Sequence, residues 1–196
     1  MSYNIGEKYD KIAKVWEEEH RNSEYGIWQI EKAISYCENK KTALDVGCGC
    51  GRRITNLLIK EGFSITGLDA SSEMIKIAKQ NYPEINFIHK DICEWQSDEK
   101  FDLIIAWDSI FHLPFNEHKP VINKLTSFLN PKGIIIYTFG DDTGEHYSDW
   151  HNDSFRYSSI GINDNIKTLI ENNNEIKHLE LDQFPEKHIF IIAKKL

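Results

Sequence analysis

The residues best suited to chemistry begin at Leu44-Asp45-Val46-Gly47-Cys48-Gly49-Cys50-Gly51, where a carboxylate precedes three alternating glycines. Glycine at 47, 49 and 51 permits positive φ and lets a ligand approach main chain where a Cβ would clash. A helix starting near Arg52 adds free N–H groups for an anionic end of that ligand. The spacing is G-x-G-x-G, not the G-x-G-x-x-G of dinucleotide sites, so the expected ligand is nucleotide-like without being fixed by the glycines. Asp69, the next acid at a strand end, suits paired ribose hydroxyls. Asp91 and Asp108 follow later strands in the same way. Asp108 can approach a cation or a substrate amine, or can cap the turn that follows it.

Imidazoles supply the candidate acid–base groups. His112 lies four residues past Asp108 in Ser109-Ile110-Phe111-His112-Leu113-Pro114. His146 and His151 lie in Glu145-His146-Tyr147-Ser148-Asp149-Trp150-His151-Asn152, a segment rich in rings. His112 reads either as a proton acceptor or as a buried ring satisfied by a carbonyl, and His146 and His151 as acid–base groups or as parts of a solvated loop. Trp150, His151 and Tyr157 are candidates for a substrate wall, with a solvated loop as the other reading. Asp149 is the only acid between the two histidines of this segment, so no metal site is expected. Cys48 and Cys50 have neither zinc nor redox spacing and read as small fillers of a tight turn.

These residues need a scaffold, and its elements alternate from Thr42 to Leu129. Strands are expected at Thr42–Val46, Ser64–Asp69, Ile85–His89, Phe101–Trp107 and Ile134–Thr138. Helices are expected at Arg52–Glu61, from an N-cap at Ser71 to Tyr82, and at Glu117–Leu129. Leu103-Ile104-Ile105-Ala106 shows no polar alternation, as expected for a parallel strand buried on both faces. Such a βαβα order predicts an α/β fold with a parallel sheet. Helices at Tyr9–Glu19 and Ile27–Cys37 precede it. Residues 140–159 show no clean period and read as a loop. A helix marked by Ile162, Ile166, Leu169 and Ile170 comes next. Two closing strands, Glu175–Asp182 and His188–Ala193, are joined by Gln183-Phe184-Pro185-Glu186-Lys187, a link so short that one must run antiparallel. One domain over 1–196 is expected: a helical cap at 1–38, a cofactor-binding core at 42–140, a substrate lid loop at 141–160, and a final helix and hairpin at 161–196.

Composition narrows the partners. The chain has 196 residues, 40% of them hydrophobic, and a formal charge of −8. That length suits one domain with a real core, and the charge opposes a broad phosphate-backbone footprint. No nucleic-acid partner is expected. No run of about 18 apolar residues is present, so no bilayer-spanning helix is expected. Met1-Ser2-Tyr3-Asn4 lacks the basic and apolar regions of a secretory signal. A cytoplasmic location with reduced cysteines is the expectation.

Asp45 to Gly51 resembles the first motif of class I S-adenosylmethionine-dependent methyltransferases of the small-molecule type. Asp69 fits that family's ribose-binding acid, and Asp91-Ile92 the pair beside the adenine. Phe101-Asp102-Leu103-Ile104-Ile105-Ala106-Trp107-Asp108 matches its fourth-strand motif, and Asn130-Pro131-Lys132-Gly133 the loop before strand five. Tyr9-Asp10-Lys11-Ile12-Ala13-Lys14-Val15-Trp16 resembles the helix that caps the cofactor in small-molecule members. The resemblance covers roughly residues 5 to 196. It implies a Rossmann-like, mostly parallel seven-stranded sheet with an antiparallel C-terminal hairpin, helices on both faces and an N-terminal helical cap.

The same resemblance implies S-adenosyl-L-methionine as cofactor, held by Tyr9, Asp45, Gly47, Cys48, Gly49, Gly51, Asp69, Ala70, Met74, Asp91, Ile92, Trp107 and Asp108. Its implied reaction is in-line methyl transfer to an O, N or S nucleophile of a small molecule. His112 and His146 are the candidate bases, and His112, Trp150, His151 and Tyr157 the candidate acceptor contacts. Two other readings stay open: a nicotinamide oxidoreductase, because Asp69 also suits an adenosine ribose, and a non-catalytic S-adenosylmethionine-binding module. The oligomeric state is left open.

Overall fold

Alternate residues of each central strand face opposite sides of one sheet, which is why no polar period shows in the sequence. In a computed structural model describing residues 4–183, 185 and 187–196, β1 (Thr42–Val46) sends Leu44 and Val46 to one apolar cluster and Ala43 to another. β4 (Phe101–Ala106) does the same, with Ile104 and Ala106 on one side and Leu103 and Ile105 on the other. Full burial of one such side chain contributes about 1.5–3 kcal/mol. Met1, Ser2, Tyr3, Phe184 and Glu186 lie outside the described residues.

The sheet also contains β2 (Ser64–Asp69), β3 (Asn86–His89), β5 (Leu129–Gly140), β8 (Asn174–Asp182) and β9 (His188–Lys195). Its order is β3-β2-β1-β4-β5-β9-β8, parallel through β5 and antiparallel for β9 and β8. This is the expected mostly parallel seven-stranded sheet with an antiparallel end. α2 (Ile27–Ser35) and α3 (Arg53–Lys60) contribute to the second apolar cluster. α5 (His118–Ser127) and α6 (Gly161–Glu171) contribute to the first.

Two expectations are corrected. Asn130 to Gly133 is no separate turn: it lies inside β5, whose pairing jumps from Phe101 with Leu129 to Leu103 with Ile134. Pro131 lacks an N–H to give the ladder, and Lys132 takes φ 67° to absorb the extra residues. Residues 141–160 are also not a loop. They form an antiparallel hairpin of β6 (Thr143–Trp150) and β7 (Asp153–Ile160). Its turn residues His151 and Asn152 have φ of 47° and 58°, the positive pair that a tight two-residue hairpin turn demands. β6 is exposed along almost its whole length, so it carries no buried alternation to betray a strand.

α1 (Ile5–His20) lies across the core and docks on α4 (Ser72–Asn81). Asp10 accepts from Ser71 Oγ at 2.6 Å and from Glu73 N at 3.0 Å. A carboxylate there meets the positive end of α4. Ser71 is the N-cap expected from the sequence, its Oγ accepting from Met74 N at 3.1 Å.

Candidate functional site

A cavity of about 800 Å³ runs along the carboxyl ends of β3, β2, β1 and β4, beneath α1. That volume lies within the 300–1,000 Å³ of small-molecule sites. Its position is where open α/β sheets bind ligands.

The glycine turn forms its floor. Gly47 has φ 75°, and a Cβ there would stand 2.3 Å from Ser109 Cβ. Close approach of the β1 and β4 tips therefore requires glycine. Asp69 ties the turn to the start of α4: Oδ2 accepts from Gly49 N and Oδ1 from Ser71 N, each at 2.8 Å. Burial holds its carboxyl above the usual range despite those two bonds. Each oxygen keeps a lone pair, so two neighbouring hydroxyls can still donate. Gly47, Cys48, Gly49, Gly51, Ala70 and Met74 line the same wall. At the β3 end, Asp91 Oδ1 accepts from Cys93 N at 2.8 Å, and both Asp91 and Ile92 line the cavity.

Asp45 is different. It is 2% exposed and lines no part of the cavity, so direct cofactor contact is not what the geometry offers. Strand alternation explains this, because Asp45 shares the face of β1 with Ala43, toward α3. Burial pushes its carboxyl up to about 7 against the pull of Arg53.

Tyr9 and His112 close the cavity from above. His112 Nδ1 lies 2.7 Å from the Arg156 carbonyl, which can only accept, so Nδ1 carries the proton. Nε2 then accepts from Tyr9 Oη at 2.9 Å. Burial pushes the imidazole down to about 4, which keeps it neutral at pH 7. His112 and Tyr9 both line the cavity.

The other candidate acceptor contacts stand outside it. Trp150 packs edge-on against Trp16 at 5.6 Å between ring centres, and also contacts Tyr9. His151 sits at the hairpin turn, 3.4 Å from Glu19. His146 and Tyr157 are cross-strand partners whose rings stack at 5.5 Å. None of the four lines the cavity. The hairpin grips α1 through Trp150 and Asp153, while Tyr157 packs on Phe111 and on the cavity-lining His112 at 4.8 Å between ring centres. Lys8 and Lys11 reach Asp153 at 2.5 and 2.9 Å.

The β4 tip carries Trp107 and Asp108, both lining the cavity. Asp108 sits at φ 50°, a costly position for an aspartate. Its N donates to Thr138 Oγ1 at 2.8 Å, and that hydroxyl donates back to Asp108 Oδ1 at 3.2 Å. His188 Nε2 donates to the same oxygen at 2.9 Å. Sequence reading places His188 only at the start of a closing strand, because the β5–β9 register alone brings it beside Asp108. Arg156, also missed, lines the cavity from β7.

The fold and the crevice define a Rossmann-like α/β domain with a ligand-sized cavity at its strand tips. Residues 43–133 match the family model described as a methyltransferase domain. The chain is 37% identical over 107 residues to trans-aconitate 2-methyltransferase of Escherichia coli O139:H28, covering 54% of this chain and 41% of that protein. It is 31% identical over 157 residues to the ubiquinone biosynthesis O-methyltransferase of Rickettsia felis, covering 72% and 62%. The chain thus spans less than two thirds of either relative. In structure it resembles an S-adenosylmethionine-dependent methyltransferase from Clostridium acetobutylicum (TM-score 0.73, 16% identity, 96% and 99% covered). It also resembles magnesium protoporphyrin IX methyltransferase from Synechocystis with bound S-adenosylmethionine (TM-score 0.73, 17% identity, 98% and 95% covered). The match over residues 43–133 and the shared fold make the chain similar to the class I S-adenosylmethionine-dependent methyltransferases. No helix among the described residues is long and apolar enough to cross a membrane.

Proposed function

We propose that this protein binds S-adenosyl-L-methionine and transfers its methyl group to a nucleophile of a small molecule. The observation that carries the reading is the row of acids on adjacent strand tips, Asp91 on β3 and Asp69 on β2, beside the bare main chain of the glycine turn. Asp69 accepts the ribose hydroxyls, Asp91 the exocyclic amine of the adenine, and the Ile92 backbone faces a ring nitrogen. The cofactor supplies a methyl group already activated by its sulfonium. The protein's contribution is then orientation and exclusion of water, worth about 7 to 11 kcal/mol of barrier when reactants are well aligned.

His112 is the proton acceptor of this site. Neutral, with Nδ1–H fixed on the Arg156 carbonyl, it presents Nε2 to the cavity and exchanges the Tyr9 hydroxyl for the acceptor's proton. Such a base adds roughly 10²- to 10⁴-fold. α1 and the hairpin that grips it leave room for a small acceptor and oppose a polymer. A coupled assay for S-adenosylhomocysteine over a library of small metabolites tests the proposal. Release with at least one member, reduced about 100-fold or more in His112→Ala, is expected. Cofactor binding without release from any member would instead support the non-catalytic binding module.

A further inference from the structure

We infer that His188 is a positioning residue for Asp108, and that the pair seats the methyl acceptor as an amine between Asp108 and His112. The inference rests on the methyl-transfer reading and names its substrate class.

Asp108 is held from below more firmly than a turn residue needs. Thr138 and His188 both donate to Oδ1. The Tyr25 hydroxyl stands beside this pair, 3.5 Å from His188 Nε2, and accepts from Gln183 Nε2. A carboxylate offers about four acceptor positions. Two are filled on Oδ1 by Thr138 and His188, which leaves capacity for the cavity that Asp108 lines. His188 is itself flanked by a second acid, Asp182 Oδ2, 3.7 Å from Nδ1. Asp182 is tied to α2 by Gln29 Nε2 at 3.2 Å. Arg53 is the cation whose field reaches Asp108, yet no ion pair joins them among the described residues.

Position along the sheet says what Asp108 meets. It lies at the tip of β4, two strands from Asp69 on β2, or about 10 Å at ordinary strand spacing. The sulfur of an adenosyl sulfonium is joined directly to C5′ of the ribose, a shorter reach than two strands. Asp108 therefore stands on the acceptor side of the transferred methyl. Its charge also bears on His112, the second group of that end. One carboxylate and one neutral imidazole nitrogen are two hydrogen-bond acceptors, which match the two N–H groups of a primary amine. A hydroxyl has a single hydrogen and a carboxylate has none.

The balanced step follows. A neutral amine donates one N–H to Asp108 and one to His112 Nε2. Its nitrogen forms the bond to the methyl carbon as the C–S bond breaks, with that electron pair remaining on sulfur. The nitrogen's surplus proton passes to His112 and then to water.

Calorimetry on the protein saturated with S-adenosylhomocysteine tests this without knowing the natural acceptor. The probes are butylamine and benzylamine against butanol, benzyl alcohol and butyrate. Expected are amines binding at least about tenfold tighter than the matched alcohols, a preference lost in Asp108→Asn. His188→Ala weakens the amines about tenfold with S-adenosylhomocysteine affinity within threefold of wild type. His188→Gln, which restores a donor to Asp108, returns amine affinity to within threefold. Should His188→Ala fail to fold, Asp108→Asn and His188→Gln decide the matter. Amines that bind no better than alcohols, or not at all, overturn the inference, as does an Asp108→Asn protein that keeps the preference. Failure of S-adenosylhomocysteine itself to bind overturns the parent reading instead, so the two failures are distinct.

Discussion

His118 makes a prediction whose size follows from its bonds. It is wholly buried at the start of α5, with Nε2 2.8 Å from Ser158 Oγ. That hydroxyl spends its hydrogen on the Leu113 carbonyl at 2.6 Å, so Nε2–H must be the donor to it. Nδ1 is then bare and has no hydrogen-bond partner. A proton placed there creates a buried cation with no acceptor, beside the positive end of a helix. Burial accordingly pushes the group down to about 4 from an ordinary 6.5. The sign follows from linkage: between those values the unfolded chain binds the proton and the folded chain does not. His118 therefore costs nothing above about pH 6.5, and stability drains away as pH falls toward 4. At 1.36 kcal/mol per unit the loss is about 3 kcal/mol. Asp45 works oppositely, since its raised folded value favours the folded state as pH falls below 7. His112, lowered by burial in the same way, adds to the acid loss, so the wild-type curve mixes all three and a difference experiment is required. Urea unfolding of wild type and His118→Gln at pH 7 and pH 4 supplies it. Gln cannot titrate, so the variant gains about 3 kcal/mol relative to wild type at the lower pH. Two stability differences that match at both pH values would refute the reasoning.

Other outcomes are as definite. Gly47→Ala combines a φ of 75° with a Cβ 2.3 Å from Ser109 Cβ. A loss of about 3 kcal/mol or more in chemical unfolding is expected from strain and overpacking together. Tyr9→Phe leaves the buried His112 Nε2 without its donor and costs about 1–3 kcal/mol in the same assay. S-adenosylhomocysteine raises the melting temperature, whereas NAD(P) does not, because the glycine spacing and the antiparallel end of the sheet are not those of a nicotinamide site.

The sheet was legible where burial is two-sided. Leu103-Ile104-Ile105-Ala106 is a continuous apolar run because both faces of β4 are covered. The glycine positions at the strand ends were legible for a related reason: a turn with positive φ restricts residue type. The β6–β7 hairpin was not legible, since an exposed strand needs no apolar alternation. Trp150 and Tyr157 look alike in sequence, yet Trp150 braces α1 through Tyr9 and Trp16, whereas Tyr157 packs on Phe111 and His112. Asp45 shows the limit of a motif: the strand's alternation turns its side chain away from the cavity. His188 is a matter of long-range register, for it lies 80 residues from Asp108 in the chain and one hydrogen bond away in space.

The most direct measurement is isothermal titration of S-adenosylhomocysteine into wild type and Asp69→Ala. One-to-one binding by the wild type is expected, weakened about tenfold or more in the variant, since hydrogen bonds to a charged acceptor contribute about 1.5–3 kcal/mol each. A wild-type protein that takes up no ligand, or a variant that binds as tightly, would contradict the account.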